Sequence, residues 1–282
     1  MPTENCPIGI MDSGVGGLSV MNALRFLMPY ENYVYLADDS HAPYGEKPTG
    51  AVLEYVLKNA DVLMNYSCKC IVMACNTATA VAVERVRERY RGIPVVGLEP
   101  AVRPAIKNAV KSGGAVLVLT TELTLKQERF CKLCRDTCRE YGAEIVEQAV
   151  GNDNGARGVY LIAAQRLVKL AEESHGDGEE ATEYLRSLTE AYQGIGFKSV
   201  VLGCTHFPFA KNAITAALGY PVEFFDGGEG AARRAKTLLE KAGTLTDRRE
   251  SGWVRWLCSE KGYVKTLRRM NSEIFKAVRQ HT

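Results

Sequence analysis

Cys70-Ile-Val-Met-Ala-Cys75-Asn76-Thr77 and Ser199-Val-Val-Leu-Gly-Cys204-Thr205-His206 follow one plan. An apolar run ends in a small residue, then a cysteine, then polar residues that lead into a predicted helix. Unbroken apolar runs of this length are expected of parallel strands covered on both faces. In open α/β sheets the ligand lies beyond the carboxyl ends of the strands, so each cysteine stands where chemistry is expected. The repetition suggests two related halves facing each other across a cleft. Coincidence between two buried strands is the competing reading at this point.

Outward from these segments, further Val- and Ile-rich runs alternate with stretches of helical period. Strands are predicted over 8–11, 33–37, 70–74, 95–98, 115–119, 144–146, 200–203 and 222–225. Helices are predicted between them, among them Leu18–Met28, Leu123–Tyr141, Ala156–Glu173 and Glu179–Tyr192. In the first of these, Leu18, Met21, Leu24 and Met28 fall on one stripe. Alternating βαβα of this kind reads as an α/β fold of the doubly wound type. The polar stretch Glu172–Glu183 reads as an exposed turn.

Composition excludes several classes. With 46% hydrophobic and 24% charged residues in 282, the chain is not intrinsically disordered. Lys+Arg 35 against Asp+Glu 33 leaves a net charge of +2, so no global field marks a nucleic-acid or membrane binder. No apolar run approaches the roughly 18 residues of a membrane span. Met1 to Cys6 lacks the basic start and apolar core of a signal peptide. Nine cysteines at scattered spacings argue against a secreted disulfide framework and for a reducing cytoplasm.

Four constellations bear on chemistry. Asp12-Ser13-Gly14-Val15-Gly16-Gly17 follows a strand and opens a helix, a turn whose backbone N–H groups suit an anion. It fits neither the dinucleotide fingerprint nor a P-loop. Asp12 repels phosphate but suits a proton or an ammonium group; the plainer reading is a tight turn with Asp12 or Ser13 as a cap. A free cysteine is commonly a small buried hydrophobe, but Cys75 and Cys204 each precede a predicted helix, where the macrodipole favours thiolate. His206 is a candidate proton partner for Cys204, and Asn76, Thr77 and Thr205 supply neutral donors. Pro43-Tyr44-Gly45 reads as a rigid turn presenting a phenol hydroxyl and a backbone N–H. Cys131, Cys134 and Cys138 share one helical face, which favours a packed stripe over zinc. The basic, Trp-containing stretch 253–270 reads as an amphipathic closing element.

Asp12–Gly17, Pro43-Tyr44-Gly45, Ala74-Cys75-Asn76-Thr77-Ala78-Thr79, Glu99-Pro100-Ala101 and Gly203-Cys204-Thr205-His206-Phe207-Pro208 resemble the signatures of bacterial glutamate racemases, in family order, from about Ile8 to Gly243. The resemblance implies two pseudosymmetric doubly wound α/β domains with parallel sheets and the active site in the cleft between them. The first would comprise 1–99 plus 208–282 and the second 100–207. It implies cofactor-independent inversion at the α-carbon of glutamate, with no metal, in a cytoplasmic homodimer supplying D-glutamate for peptidoglycan. A racemase of the same fold acting on aspartate or another amino acid is the alternative. By motif, Cys75 and Cys204 are the paired acid/base residues, with Asp12 and His206 also catalytic. Asp12, Ser13, Tyr44, Gly45, Asn76, Thr77, Thr121, Thr205 and His206 bind or support substrate, with Thr120 competing for the role of Thr121. Many members carry a Leu-Val-Glu segment whose glutamate supports the histidine. The corresponding region here, Gln148–Asp153, has no clear equivalent, leaving Glu147 and Asp153 as nearby carboxylates.

Overall fold

The computed structural model describes residues 3–146, 157–173, 176–260 and 262–279, with side chains described as far as 272. The chain begins β1 (Ile8–Asp12), α1 (Leu18–Leu27), β2 (Tyr33–Ala37), α2 (Thr49–Asn65), β3 (Cys70–Met73), α3 (Asn76–Arg89) and β4 (Val95–Gly97). It continues through α4 (Val102–Ser112), β5 (Ala115–Thr120), α5 (Glu122–Leu125), α6 (Glu128–Tyr141), β6 (Glu144–Val146) and β7 (Gly158–Ala163). Then come α7 (Gln165–Glu172), α8 (Glu179–Thr189), β8 (Phe197–Leu202), α9 (Lys211–Leu218) and β9 (Glu223–Phe225). The chain closes with α10 (Gly228–Lys241), β10 (Val254–Cys258) and α11 (Tyr263–Arg279). No described helix is long and apolar enough to cross a membrane.

Two compact units result, 1–99 with 228–282, and 100–227. The expected return to the first unit at 208 is displaced to 228. The reason is strand pairing: β9 is hydrogen-bonded to β8, and α9 packs on α8, so 208–227 stay with the second sheet.

In the first unit five parallel strands lie in the order β10-β2-β1-β3-β4. Every residue of β1, β2 and β3 is buried, which requires cover on both faces of the sheet. α1 packs with α10 and α11, and α2 with α3. In the second unit the order is β6-β7-β5-β8-β9, again all parallel. Here the strand period is visible in the core. Val116 and Val118 of β5 pack with α4 and α6, while Leu117 and Leu119 face the opposite cluster with α7, α8 and α9. α6 ends at Gly142, whose φ of 64° is the left-handed conformation that glycine adopts without strain.

The two orders correspond strand for strand. β3 and β8 occupy the same place, each beside the central β1 or β5, so the two cysteine-bearing strands are topological equivalents.

Four segments differ from expectation. The helix expected over Ala156–Glu173 is strand β7 followed by α7, because Gly-Val-Tyr-Leu-Ile-Ala is a short apolar run whose periodicity fits either state. The helix expected over Leu123–Tyr141 is interrupted at Gln127, whose ψ of 128° is extended. The 253–270 stretch contributes an edge strand as well as a helix. The polar stretch 172–183 is not one turn, since Glu172 ends α7 and Glu179 begins α8. Glu147 and Gln148–Asp153 lie outside the described residues.

Candidate active site

The first unit places four predicted segments at the carboxyl ends of its strands. Asp12 ends β1, and its Oδ2 accepts the backbone N–H groups of Gly14 (3.1 Å) and Gly17 (2.9 Å). These two donors of the turn are therefore engaged by the protein's own carboxylate. A Cβ at Gly17 would lie 2.7 Å from that of Asp12 and 2.8 Å from the Tyr35 hydroxyl, so only glycine permits this closeness. Ser13 is buried in the same turn.

Cys75 follows β3 and caps α3, its sulfur accepting the Ala78 N–H at 3.5 Å. A sulfur at a helix N-terminus is where partial positive charge favours thiolate. Asn76 and Thr77 begin the helix and are buried. Among the described residues the Asn76 Oδ1 has no hydrogen-bond partner, an unfilled acceptor that is costly in a buried site.

Tyr44 and Gly45 form a single helical turn after β2. The Tyr44 hydroxyl is not offered to solvent: it donates to Asp38 Oδ2 at 2.5 Å and accepts from Asn59 Nδ2 at 3.0 Å. Burial first, and then the Asp38 charge, push this phenol above the ordinary tyrosine value. The hydroxyl that the sequence reading presents outward is thus held inside the protein by Asp38 and Asn59. Asp38 also bonds His41 Nδ1 at 2.7 Å, and the His41 ring stacks on Tyr55 at 3.8 Å.

The second unit builds an equivalent strand end by different means. Gly203 N donates to Leu119 O at 2.7 Å, and Thr120 Oγ1 donates to Gly203 O at 3.0 Å, which seams β5 to β8. Thr121 Oγ1 caps α5, accepting the Thr124 N–H at 3.3 Å and lying 2.9 Å from Thr124 Oγ1. Cys204 comes next, but it does not begin an α-helix as expected. A turn and one short 3-10 turn over 207–210 intervene before α9.

His206 takes the place of the helix dipole. Its Nδ1 lies 3.5 Å from Cys204 Sγ, and its Nε2 lies 2.6 Å from Glu172 Oε1. Burial opposes a charge on this ring, yet the hydrogen bonds to Cys204 and Glu172 and the Glu172 charge outweigh it and raise the histidine well above its ordinary value. As an imidazolium, His206 donates from both nitrogens, to sulfur on one side and carboxylate on the other. Thr205 is buried as well.

Glu172, Asp38 and Asn59 were not singled out from sequence. Only Asp38 carried a signal, as the acid directly after a strand. Glu172 sits 34 positions before its partner histidine in the chain, in a polar stretch that reads as exposed. Among the other cysteines, burial pushes Cys68, Cys70 and Cys134 up to about 12 and Cys138 to about 11, so these are inert thiols. Cys134 and Cys138 pack in the second core, and Cys131 Sγ donates to Leu125 O.

A family model for Asp/Glu/hydantoin racemases matches residues 31–235. A glutamate racemase of Clostridium perfringens is 37% identical over 249 residues, 88% of this chain and 89% of the relative. Glutamate racemase 2 of Bacillus subtilis is 35% identical, covering 82% and 81%. Among solved structures, a Thermus thermophilus glutamate racemase in complex with β-chloro-D-alanine is 30% identical with a TM-score of 0.72, covering 96% and 94%. An Escherichia coli glutamate racemase in complex with L-glutamate and the activator UDP-MurNAc-Ala is 29% identical with a TM-score of 0.74, covering 93% and 94%.

Proposed function

The chain belongs to the Asp/Glu/hydantoin racemase family, and from that premise we propose that it is a glutamate racemase using Cys75 and Cys204 as paired acid and base. The observation that carries the reading is that both thiols follow topologically equivalent strands, each with its own source of positive charge. Inversion at an α-carbon removes a proton from one face and returns one to the other. Two bases serve this without either having to cross the carbon.

In each direction one cysteine is thiolate and takes the α-proton, while the other is thiol and gives its proton to the resulting carbanion. Both sulfurs change protonation state, so the next turnover runs in reverse or follows proton exchange with solvent. His206 steadies the Cys204 side by holding a proton between Sγ and Glu172. Asn76 Oδ1, buried and unpartnered, suits the substrate ammonium group. Hydroxyls of Ser13, Thr77, Thr121 and Thr205 suit its carboxylates, and the Tyr44–Gly45 turn suits a wall of the pocket. Asp12, held by two backbone N–H groups, suits the side of the ammonium or the proton on Cys75. Charge developing on the carbanion is met by such fixed donors.

The same reading places the enzyme in the cytoplasm as a homodimer, without cofactor or metal, supplying D-glutamate for peptidoglycan. Purified protein given L-glutamate and no added cofactor should lose optical rotation to zero, with L- and D-aspartate far slower, and should keep this activity after dialysis against chelator. Faster turnover of aspartate would move the assignment to the neighbouring substrate class.

A further inference from the structure

We propose that Asp39 and Ser259 form a clasp through which the C-terminal segment positions the Tyr44–Gly45 loop for substrate binding. The proposal rests on the reading above, in which that loop touches glutamate, and adds two positioning residues to it.

β10 runs parallel to β2 with Cys258 opposite Ala37, so the residues after both strands leave the sheet side by side. On one strand these are Asp38 and Asp39, and on the other Ser259 and Glu260. Asp39 Oδ1 accepts the Ser259 N–H at 2.8 Å and its hydroxyl at 3.0 Å, while Oδ2 accepts the Glu260 N–H at 3.2 Å. Ser259 Oγ in turn accepts the Ser40 N–H at 3.1 Å. Bonds from N–H groups to an ionised carboxylate are the stronger kind. Within the loop itself the backbone bonds are short-range, such as His41 N to Asp38 O (3.2 Å) and Lys47 N to Tyr44 O (3.1 Å). The clasp spans 220 positions and closes on the stem of the loop.

From the stem the contact reaches the loop in one step. The Ser259 hydroxyl also lies 3.3 Å from Asp38 Oδ1, so its single proton is shared between neighbouring carboxylates, and Asp38 Oδ2 holds the Tyr44 phenol. Two side chains therefore connect the C-terminal segment to Tyr44. The edge strand β10 thus sets where Asp38 stands, and Asp38 sets where the Tyr44 ring stands.

The test uses the full chain carrying Asp39→Ala, Ser259→Ala, both together, or Ser259→Thr. Each alanine variant should raise KM for glutamate about 3- to 10-fold while kcat changes by less than about twofold. Because both single variants remove the Ser259–Asp39 bond, the double variant should fall short of the sum of their separate effects, and Ser259→Thr, which keeps the hydroxyl, should restore KM. Hydrogen exchange should quicken at residues 40–47 in the alanine variants and stay unchanged in β1 and β3. Unchanged KM and exchange in Asp39→Ala, additive effects in the double variant, or faster exchange across the whole first unit would overturn the clasp. If the wild-type enzyme does not racemise glutamate, the substrate reading fails by itself, and the exchange experiment still decides whether the clasp holds the loop.

Discussion

At the scale of single residues, the two thiols are equivalent in topology and unlike in chemistry. Cys75 relies on a helix N-terminus, whereas Cys204 relies on an imidazole wedged against a carboxylate. If they are the paired bases, each takes the α-proton from one enantiomer only, and the family resemblance implies D-glutamate for Cys75 and L-glutamate for Cys204. Replacing either by Ala should abolish racemisation, because the returning proton has no donor on its face. Elimination from a glutamate analogue with a leaving group at the β-carbon needs only one base, so it should survive, with opposite enantiomer preference in Cys75→Ala and Cys204→Ala. Chiral chromatography of the unreacted analogue reads this, and identical preference in both variants would sink the assignment. The Glu172–His206 pair makes a separate prediction about pH. The histidine is raised on folding, so its contribution to stability is complete below the ordinary histidine value, provided Glu172 stays ionised, and is lost as pH rises through the raised value. Thermal unfolding of wild type and Glu172→Gln should therefore differ most in mild acid and converge in alkali. A gap that widens with pH would contradict a raised His206.

At the scale of elements, the active positions depend on how neighbouring strand ends are joined. The β5–β8 seam brings Gly203 so close to the preceding strand that a Cβ there would stand 2.7 Å from Leu119 O and 2.9 Å from Thr120 Cβ. One of these is backbone, which cannot swing away as a flexible side chain can. Gly203→Ala should therefore push Cys204 out of place, and a displacement of about 1 Å at a catalytic group costs on the order of 10²-fold in rate. Steady-state kinetics should show kcat/KM reduced by about that factor, with far-ultraviolet circular dichroism unchanged. A loss of less than about twofold would mean that the seam yields without moving the sulfur.

At the scale of the whole molecule, the C-terminal return to the first unit has a second fastening at the opposite end of the sheet. Lys69, with a fully buried side chain, lies 2.6 Å from Glu31 Oε2 and donates to Glu4 O (2.6 Å) and Thr244 O (2.8 Å). Glu31 Oε1 accepts the Thr246 N–H at 2.9 Å. One ion pair thus holds the N-terminal segment, the core and the returning chain. Removing one partner strands a buried charge, so Lys69→Ala should cost about 3–5 kcal/mol in urea unfolding. Lys69→Met with Glu31→Leu should cost much less, since it leaves no unpaired charge. Because Lys69 and Glu31 precede β3 and β2, at the strand ends away from the cysteines, kcat of the folded enzyme should be unaffected in both. A fall in kcat matching the loss of stability would show that the two ends of the sheet are coupled.

The amino-acid sequence by itself determined the parts whose signal is local. The apolar run before Cys75, the glycine turn after β1 and the helical stripe from Leu18 are each legible within about ten residues, because strand and helix periods are properties of neighbours. The equivalence of the Cys75 and Cys204 strand ends was legible for the same reason. What the tertiary structure decided is everything that joins distant segments: Glu172 against His206, Asp39 against Ser259, Lys69 against Thr244. It also decided the state of 158–163, whose apolar residues fit helix or strand until β5 and β6 supply hydrogen-bonding partners on either side. A buried carboxylate is written in sequence with the same letter as a solvated one. Only the packing of the chain determines which neighbour neutralises it, and that choice put Glu172 against His206 and Glu31 in the core.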